Sequence, residues 1–462
     1  MQNEGRSKLL GEMPMKQLVP KISVPIMISM LVQALYNVVD SIFVAKYDPN
    51  ALAAVSLAFP IQTLMIALST GLGVGINSLI SRRLGEHNHK AALNAASAGM
   101  VLEACGFLLF AIFGLFFSRT FFTWFTDEAA LIDLGEQYLF IVSVFSFALF
   151  QSIFFERALQ STGNTVFSMV MQLSGAITNI ILDPIMIFGL LGFPAMGIAG
   201  AAWATVIGQV VSMTVGFIAN QTKNKELKLS TREFRVNMQS VREILSVGFP
   251  SVVVQAINSL LTVFMNMILI AYGSVAVSVL GVYFKLQSFV FMPVFGLGNG
   301  MVAIIGYNYG ARLRSRIYDG IKVSLTYATV IMAIGTALFW AFPEFLMGLF
   351  ETSGESASQL TAIGVPALRT ISLSFILAAV GITLSNVFQA IGKGTYSLLM
   401  SLMRQLIVLL PVAWVLSKLG GLDAIWWSFP IAEVVSLTLC LYLYRKVDRT
   451  MLKPMGEDQK AA

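Results

Sequence analysis

Twelve runs of about 20 apolar residues follow one another along this chain of 462 residues, and they constrain the fold more than any other feature. A run of that length matches the hydrocarbon thickness of a bilayer as a helix. Lipid offers no hydrogen bonds to the backbone, so each run must satisfy its own peptide groups, which a helix does. The runs lie near 22–45, 52–80, 92–117, 131–155, 164–190 and 197–219, then 245–272, 275–307, 318–343, 359–388, 395–417 and 423–444. Only 12% of residues are charged and 56% are hydrophobic, half the charge of an ordinary soluble domain. The expectation is an all-α polytopic membrane protein. The polar start, Met1 to Lys21, has no cleavable signal pattern, so the first span is expected to direct its own insertion.

Orientation follows from Lys and Arg. Twenty-four of the 30 fall in the N-tail, every second loop and the C-tail, against Lys46, Arg119 and Lys418 on the other side. Both termini are therefore expected in the cytoplasm. The net charge of +6 belongs to these loops and not to a nucleic-acid surface. Cys105 and Cys440 lie in apolar runs, which suggests neither a disulfide framework nor a metal cluster. His87 and His89 share one polar loop and read as solvated.

The two halves repeat. Val24-Pro25 matches Phe249-Pro250, Gln62 matches Gln287, and Gly71-Leu72-Gly73-Val74-Gly75 matches Gly296-Leu297-Gly298-Asn299-Gly300, all at one offset. Leu159-Gln160-Ser161-Thr162-Gly163 matches Phe388-Gln389-Ala390-Ile391-Gly392, and Trp203 matches Trp427. Six spans per half is an even number, so both halves enter the membrane in one sense. Such parallel repeats are related by an axis along the membrane normal. The organisation expected is an N-terminal bundle (1–220), a linker (221–243), a C-terminal bundle (244–446) and a polar tail (447–462). In the linker, Ser230 and Glu233 read as a capping box, and Phe234, Met238, Val241 and Leu245 recur at helical spacing. This predicts an amphipathic helix on the membrane surface.

Acids inside spans are costly and mark ion pathways. Asn179 and Asp183 lie one turn apart on one face of span 5, and Pro184 invites a kink that frees a carbonyl. Asp40 lies deep in span 1, with Gln33, Tyr36 and Asn37 before it at helical spacing. Carboxylate and amide oxygens suit a hard cation such as Na⁺; alternatively, Asp40 or Asp183 takes up a proton. The repeat is asymmetric, since Pro411 lies near the Pro184 position without an acid and Met265 stands at the Asp40 position. Pro25, Pro60 and the glycines at 71, 73 and 75 serve either bending or close helix packing. Glu156 is a solute-attracting acid or half of a local pair with Arg157, and Arg404 is expected to pair with Glu433. Lys285 replaces the repeat partner of Pro60, and Glu103 and Arg369 also fall within or near spans. Met and Phe, 23 and 34 residues, offer material for an adaptable pocket.

The 6+6 repeat, the Gly-rich end of span 2, Ser81-Arg82-Arg83-Leu84-Gly85, Ala158-Leu159-Gln160-Ser161-Thr162-Gly163 and Asn179…Asp183-Pro184 together resemble the multidrug and toxic compound extrusion family, MATE. The likeness is greatest to its bacterial MepA-type subgroup, through Leu182-Asp183-Pro184-Ile185. The resemblance implies antiport: export of amphipathic, often cationic, drugs in exchange for H⁺ or Na⁺, by alternating access between two lobes. It implies a cation site of Asp40, Asn179 and Asp183. Some members add a span-6 hydroxyl; here that neighbourhood reads Gly200-Ala201-Ala202, and the nearest hydroxyl is Thr205. Gln33, Tyr36, Asn37 and Glu156 are the solute-cleft candidates. A monomer in the bilayer is expected, with small solutes as partners, no cofactor beyond the coupling ion, no nucleic acid and no ATP, since no Walker-type loop is present. The alternative is a lipid or lipid-linked substrate flippase of the same superfamily, which predicts a cationic cleft. A membrane enzyme would need clustered His, Cys or carboxylates at an interface.

Overall fold

The computed structural model describes residues 7–47, 49–228, 234–350 and 355–455; the side chains of 7, 8, 37, 38, 40–42, 45, 49, 52 and 355–358 lie outside that description. All regular structure among the described residues is helical. The first half holds α1 (Ser7–Glu12), α2 (Met15–Tyr47), α3 (Pro49–Gly85), α4 (His89–Thr123), α5 (Ala129–Val144), α6 (Phe147–Ser161), α7 (Thr165–Phe188) and α8 (Ile198–Lys223). The second holds α9 (Met238–Leu269), α10 (Ser274–Gly310), α11 (Arg314–Ala341), α12 (Pro343–Gly348), α13 (Glu355–Ser372), α14 (Phe375–Ala390), α15 (Gly394–Leu402), α16 (Leu410–Leu419), α17 (Gly421–Ile425) and α18 (Ser428–Val447).

Ten helices are long and apolar enough to cross a membrane, and two bent pairs bring the total to twelve. The bent spans are α5 with α6, at 43°, and α13 with α14, at 49°, the fourth span of each half. At each break a serine hydroxyl turns back onto the preceding turn: Ser146 Oγ donates to the Ser143 carbonyl (2.7 Å) and Ser374 Oγ to that of Ile371 (2.6 Å). Such back-bonds compete with the helical ladder and bend it.

The halves meet reciprocally, as a two-fold requires. α3 packs on α9, and its repeat partner α10 packs on α2. A Cβ on Gly71 would stand 2.7 Å from the Val252 backbone nitrogen, and one on Gly296 2.7 Å from Met27 Cα. These two contacts are images of each other under the repeat. The result is two six-span bundles related by a pseudo-two-fold along the membrane normal.

Interlobe hydrogen bonds gather at one end. Ser78 Oγ donates to the Gln389 carbonyl (2.6 Å), Arg83 Nη2 to Glu243 Oε1 (2.7 Å) and Thr70 Oγ1 to Gln255 Oε1 (3.0 Å). The N-terminal segment joins them, since Asn308 Nδ2 and Arg316 Nη2 both donate to the Leu10 carbonyl, at 2.9 and 3.1 Å. This is the end that carries the Lys- and Arg-rich loops. The close approaches made by Gly71 and Gly75 onto α9 belong to this seal, so these two glycines serve packing.

The linker departs from expectation. Residues 234–237 are not helical, and Asn237 caps α9 by accepting from Gln239 N–H (2.9 Å), so Met238 and Val241 belong to the first turns of span 7. An asparagine one residue before the apolar run competes well as a cap. Ser230 and Glu233 lie outside the described residues. The tail also differs: the helix continues past Val447 to Met455, and the Tyr318 hydroxyl donates to Asp448.

Candidate ion and solute site in the first half

α7 and α8 touch backbone to backbone. A Cβ on Gly208 would lie 2.8 Å from the Gly175 carbonyl oxygen, and one on Gly200 2.4 Å from that of Met186. Only glycine lets helices come this close. Between these crossings the facing side chains are Asn179, Asp183 and Thr205.

Asp183 is 0% exposed and Asn179 3%. In the amide orientation that satisfies both of its polar atoms, Asn179 donates to Asp183 Oδ2 (3.0 Å) and accepts from the Thr205 backbone N–H (3.1 Å). Thr205 Oγ1 lies 3.3 Å from the same amide. α7 runs through Pro184 as a continuous helix, while the proline withholds a donor from the Ile180 carbonyl. A buried acid is thus held against an amide that the Thr205 hydroxyl also approaches, on a helix with one missing backbone bond.

Asn179 and Thr205 also wall a cavity of about 200 Å³. It is built from α2, α3, α6, α7 and α8, and Asn299 is the one lining residue from the second half. Gln33, Tyr36 and Glu156 line it; Asp183 stands behind Asn179. Asp40 and Asn37 lie on α2, and their side chains are outside the described residues. The lining is richer in amides and hydroxyls than in Met or Phe: Met30 and Met171 are its methionines, and Tyr36 its aromatic ring. Gln172, Gln209 and Ser212 were not singled out from sequence. Their spacing to Asn179 and Thr205 along α7 and α8 is helical, and that was the available signal.

Glu156 and Arg157 are both buried and do not pair directly. Arg157 Nη1 donates to Gln160 Oε1 (2.9 Å), and Gln160 Nε2 donates to Glu156 Oε1 (2.7 Å). In the second half Arg404 pairs with Glu433 (3.2 Å) as expected, Arg369 reaches Glu344 (3.4 Å), and Lys285 lies 5.7 Å over the Phe350 ring. His87 and His89 are exposed, and no group of three His, Cys, Asp or Glu able to hold a metal occurs among the described residues.

Comparison with known proteins assigns the architecture to a family. The MatE family model matches residues 25–185 and 250–415, one block in each half. The chain belongs to the MatE family. Its relatives within MatE include the multidrug export protein MepA of Staphylococcus haemolyticus, 28% identical over 91% of each chain. MepA of Staphylococcus aureus is 27% identical, over 92% of this chain and 93% of that one. Among solved structures, an outward-facing multidrug resistance MATE family transporter matches with TM-score 0.90 at 27% identity, covering 98% of this chain and all of that one. A superfamily member from Pyrococcus furiosus, described as having a binding pocket of reverse polarity, matches with TM-score 0.89 at 28% identity over 98% and 99%. MatE membership and these names point to a transporter rather than an enzyme.

Proposed function

We propose that this MatE protein is a secondary active exporter in a bacterial cytoplasmic membrane, both termini inside, that releases amphipathic, often cationic, compounds in exchange for H⁺ or Na⁺. One observation carries the reading: a fully buried aspartate stands behind the wall of a polar cavity, and Asn179 and Thr205 separate the two. Asp183, Asn179 and Thr205 belong to the coupling site, with Asp40 of α2 as its remaining carboxylate. A cation or proton there removes negative charge from the first half. Solute release follows if ion and solute favour opposite conformations. The lobes are tied at the Lys/Arg-rich end, which we take as cytoplasmic, so this state opens outward. The polar linker between the halves, the two lobes as units and a monomeric working state belong to the same proposal. A flippase cleft would carry excess positive charge, whereas the charged residues lining this cavity are one acid and one base.

The test is ethidium efflux from membrane vesicles under imposed Na⁺ or pH gradients. Asp183→Asn and Asp40→Asn are expected to abolish gradient-driven efflux. Unimpaired efflux in both variants refutes the assignment.

A further inference from the structure

A second buried acid in the first half is not used by the site above. Glu103 on α4 is 0% exposed and lies outside the cavity lining. Ser69 Oγ donates to its Oε2 (2.6 Å), while Oε1 has no hydrogen-bond partner. Arg157, walling the cavity, has the complementary vacancy: its buried Nε has no acceptor. Both groups lean on one face of α3. Ser69 holds Glu103, and one turn on, a Cβ at Gly73 would stand 3.1 Å from Arg157 Nε. Gly73 thus makes room for the arginine, which is why this glycine differs in role from its neighbours at 71 and 75. Glu103 and Arg157 thus lie about one helical turn apart along α3, each with an unpartnered polar atom. Ser69 from α3 faces the acid too; α5 and α9, also packed on α4, hold their paired charges at the helix ends, Asp133 and Glu136 with Arg119 and Glu243 with Arg83.

The guanidinium therefore stands between two acids. On one side it reaches Glu156 through Gln160, and on the other its unpartnered Nε lies along α3 one turn from the serine that holds Glu103. One cation and two carboxylates leave one negative charge over, and in a low-dielectric interior such a surplus is costly. A proton or a cationic solute can cancel it.

We propose that Glu103, Arg157 and Glu156 form a second exchange element, in which a proton on Glu103 and a monocationic solute beside Glu156 compete for the one negative charge that Arg157 leaves unbalanced. With Glu103 ionised, Arg157 is shared and Glu156 attracts the cation. When Glu103 takes up a proton and becomes a carboxylic acid, Arg157 counters Glu156 alone and the solute leaves. Glu103 acts through Arg157 and is a positioning residue. By linkage, bound solute also weakens proton uptake. This inference rests on the reading of the cavity as a site for cationic solutes.

The experiment is ethidium binding to the purified full-length protein, by fluorescence, across a pH series. Wild type is expected to lose affinity about tenfold between neutral and mildly acidic pH, within the usual range of coupling. Glu103→Gln keeps the shape and the Ser69 contact but removes the charge; it should bind weakly at all pH values. The double variant Glu103→Gln/Arg157→Gln should recover tight binding, now insensitive to this proton, while Glu103→Asp should keep the wild-type profile. Should Glu103→Gln not fold, Ser69→Ala should move the wild-type profile to higher pH, because the ionised form loses a donor. Wild-type affinity and pH profile in Glu103→Gln, or a double variant as weak as the single, would overturn the inference and leave the exporter reading standing. A profile that Ser69→Ala does not move overturns it as well. A wild-type protein that neither binds nor exports ethidium sinks both readings.

Discussion

The fifth and sixth spans of the two halves solve one packing problem in opposite ways. In the first half, Gly175 and Gly208 bring α7 and α8 into backbone contact, and the side chains above the crossing are free to line a cavity. In the second half, carrying the Gly163–Gly392 register forward puts Arg404 on Gly175, and the Trp203–Trp427 register puts Glu433 on Gln209. Those two residues form a salt bridge of 3.2 Å across the equivalent helices. The helix itself adapts: residues Met403–Leu409 form a widened, π-helical stretch before Pro411, where α7 stays regular through Pro184. One scaffold therefore yields a cavity with an acid behind it where the crossing is glycine, and a brace where the crossing is charged. The asymmetry is chemical, since the interlobe contacts keep their two-fold.

The strongest way to break this comparison is Asp183→Asn, which removes the charge and keeps the shape. Gradient-driven ethidium efflux in vesicles should fall about tenfold or more, the loss of an interaction worth over about 1.4 kcal/mol. Normal efflux would make the first half as inert as the second. Next comes Gly208→Val, which forces α7 and α8 apart. A thermal-unfolding measurement in detergent should show destabilisation of about 1–3 kcal/mol from overpacking, together with impaired efflux. An unchanged melting temperature would mean the glycine crossing is not the organising contact. Arg404→Ala sharpens the comparison from the other side. It strands Glu433 and should cost about 1–3 kcal/mol of stability, while Arg404→Leu/Glu433→Leu stays near wild type. Efflux per folded molecule should survive in both; a loss of transport in the double variant would assign the brace a role beyond support. The smallest effect is expected for Thr205→Val. Its backbone N–H still serves Asn179, so losing the hydroxyl should weaken ion dependence only by the worth of one hydrogen bond, about 1 kcal/mol or fivefold. A loss as large as that of Asp183→Asn would place the hydroxyl among the principal ion ligands.

The spans, their even number and the repeat were legible because hydrophobic length and sequence offset are properties of the chain alone. Asn179 and Asp183 were legible for the same reason: one turn of helix sets their shared face before any packing. The linker was misread because a periodic pattern crossed the Asn237 cap, and a helix start depends on which donor the cap satisfies. The bends at Ser146 and Ser374 escaped as well, since a serine bends a helix only when its hydroxyl turns inward.

The sequence by itself determined a twelve-span, two-fold helical protein and the acid on span 5, because membrane insertion reads each run of about 20 residues independently. Only tertiary structure decided that Thr205 meets Asn179, that Glu103 and Arg157 share one face of α3, and that the cavity lies within the first half. Those outcomes depend on how closely two backbones approach, and that distance is set where helices from distant parts of the chain cross at glycine.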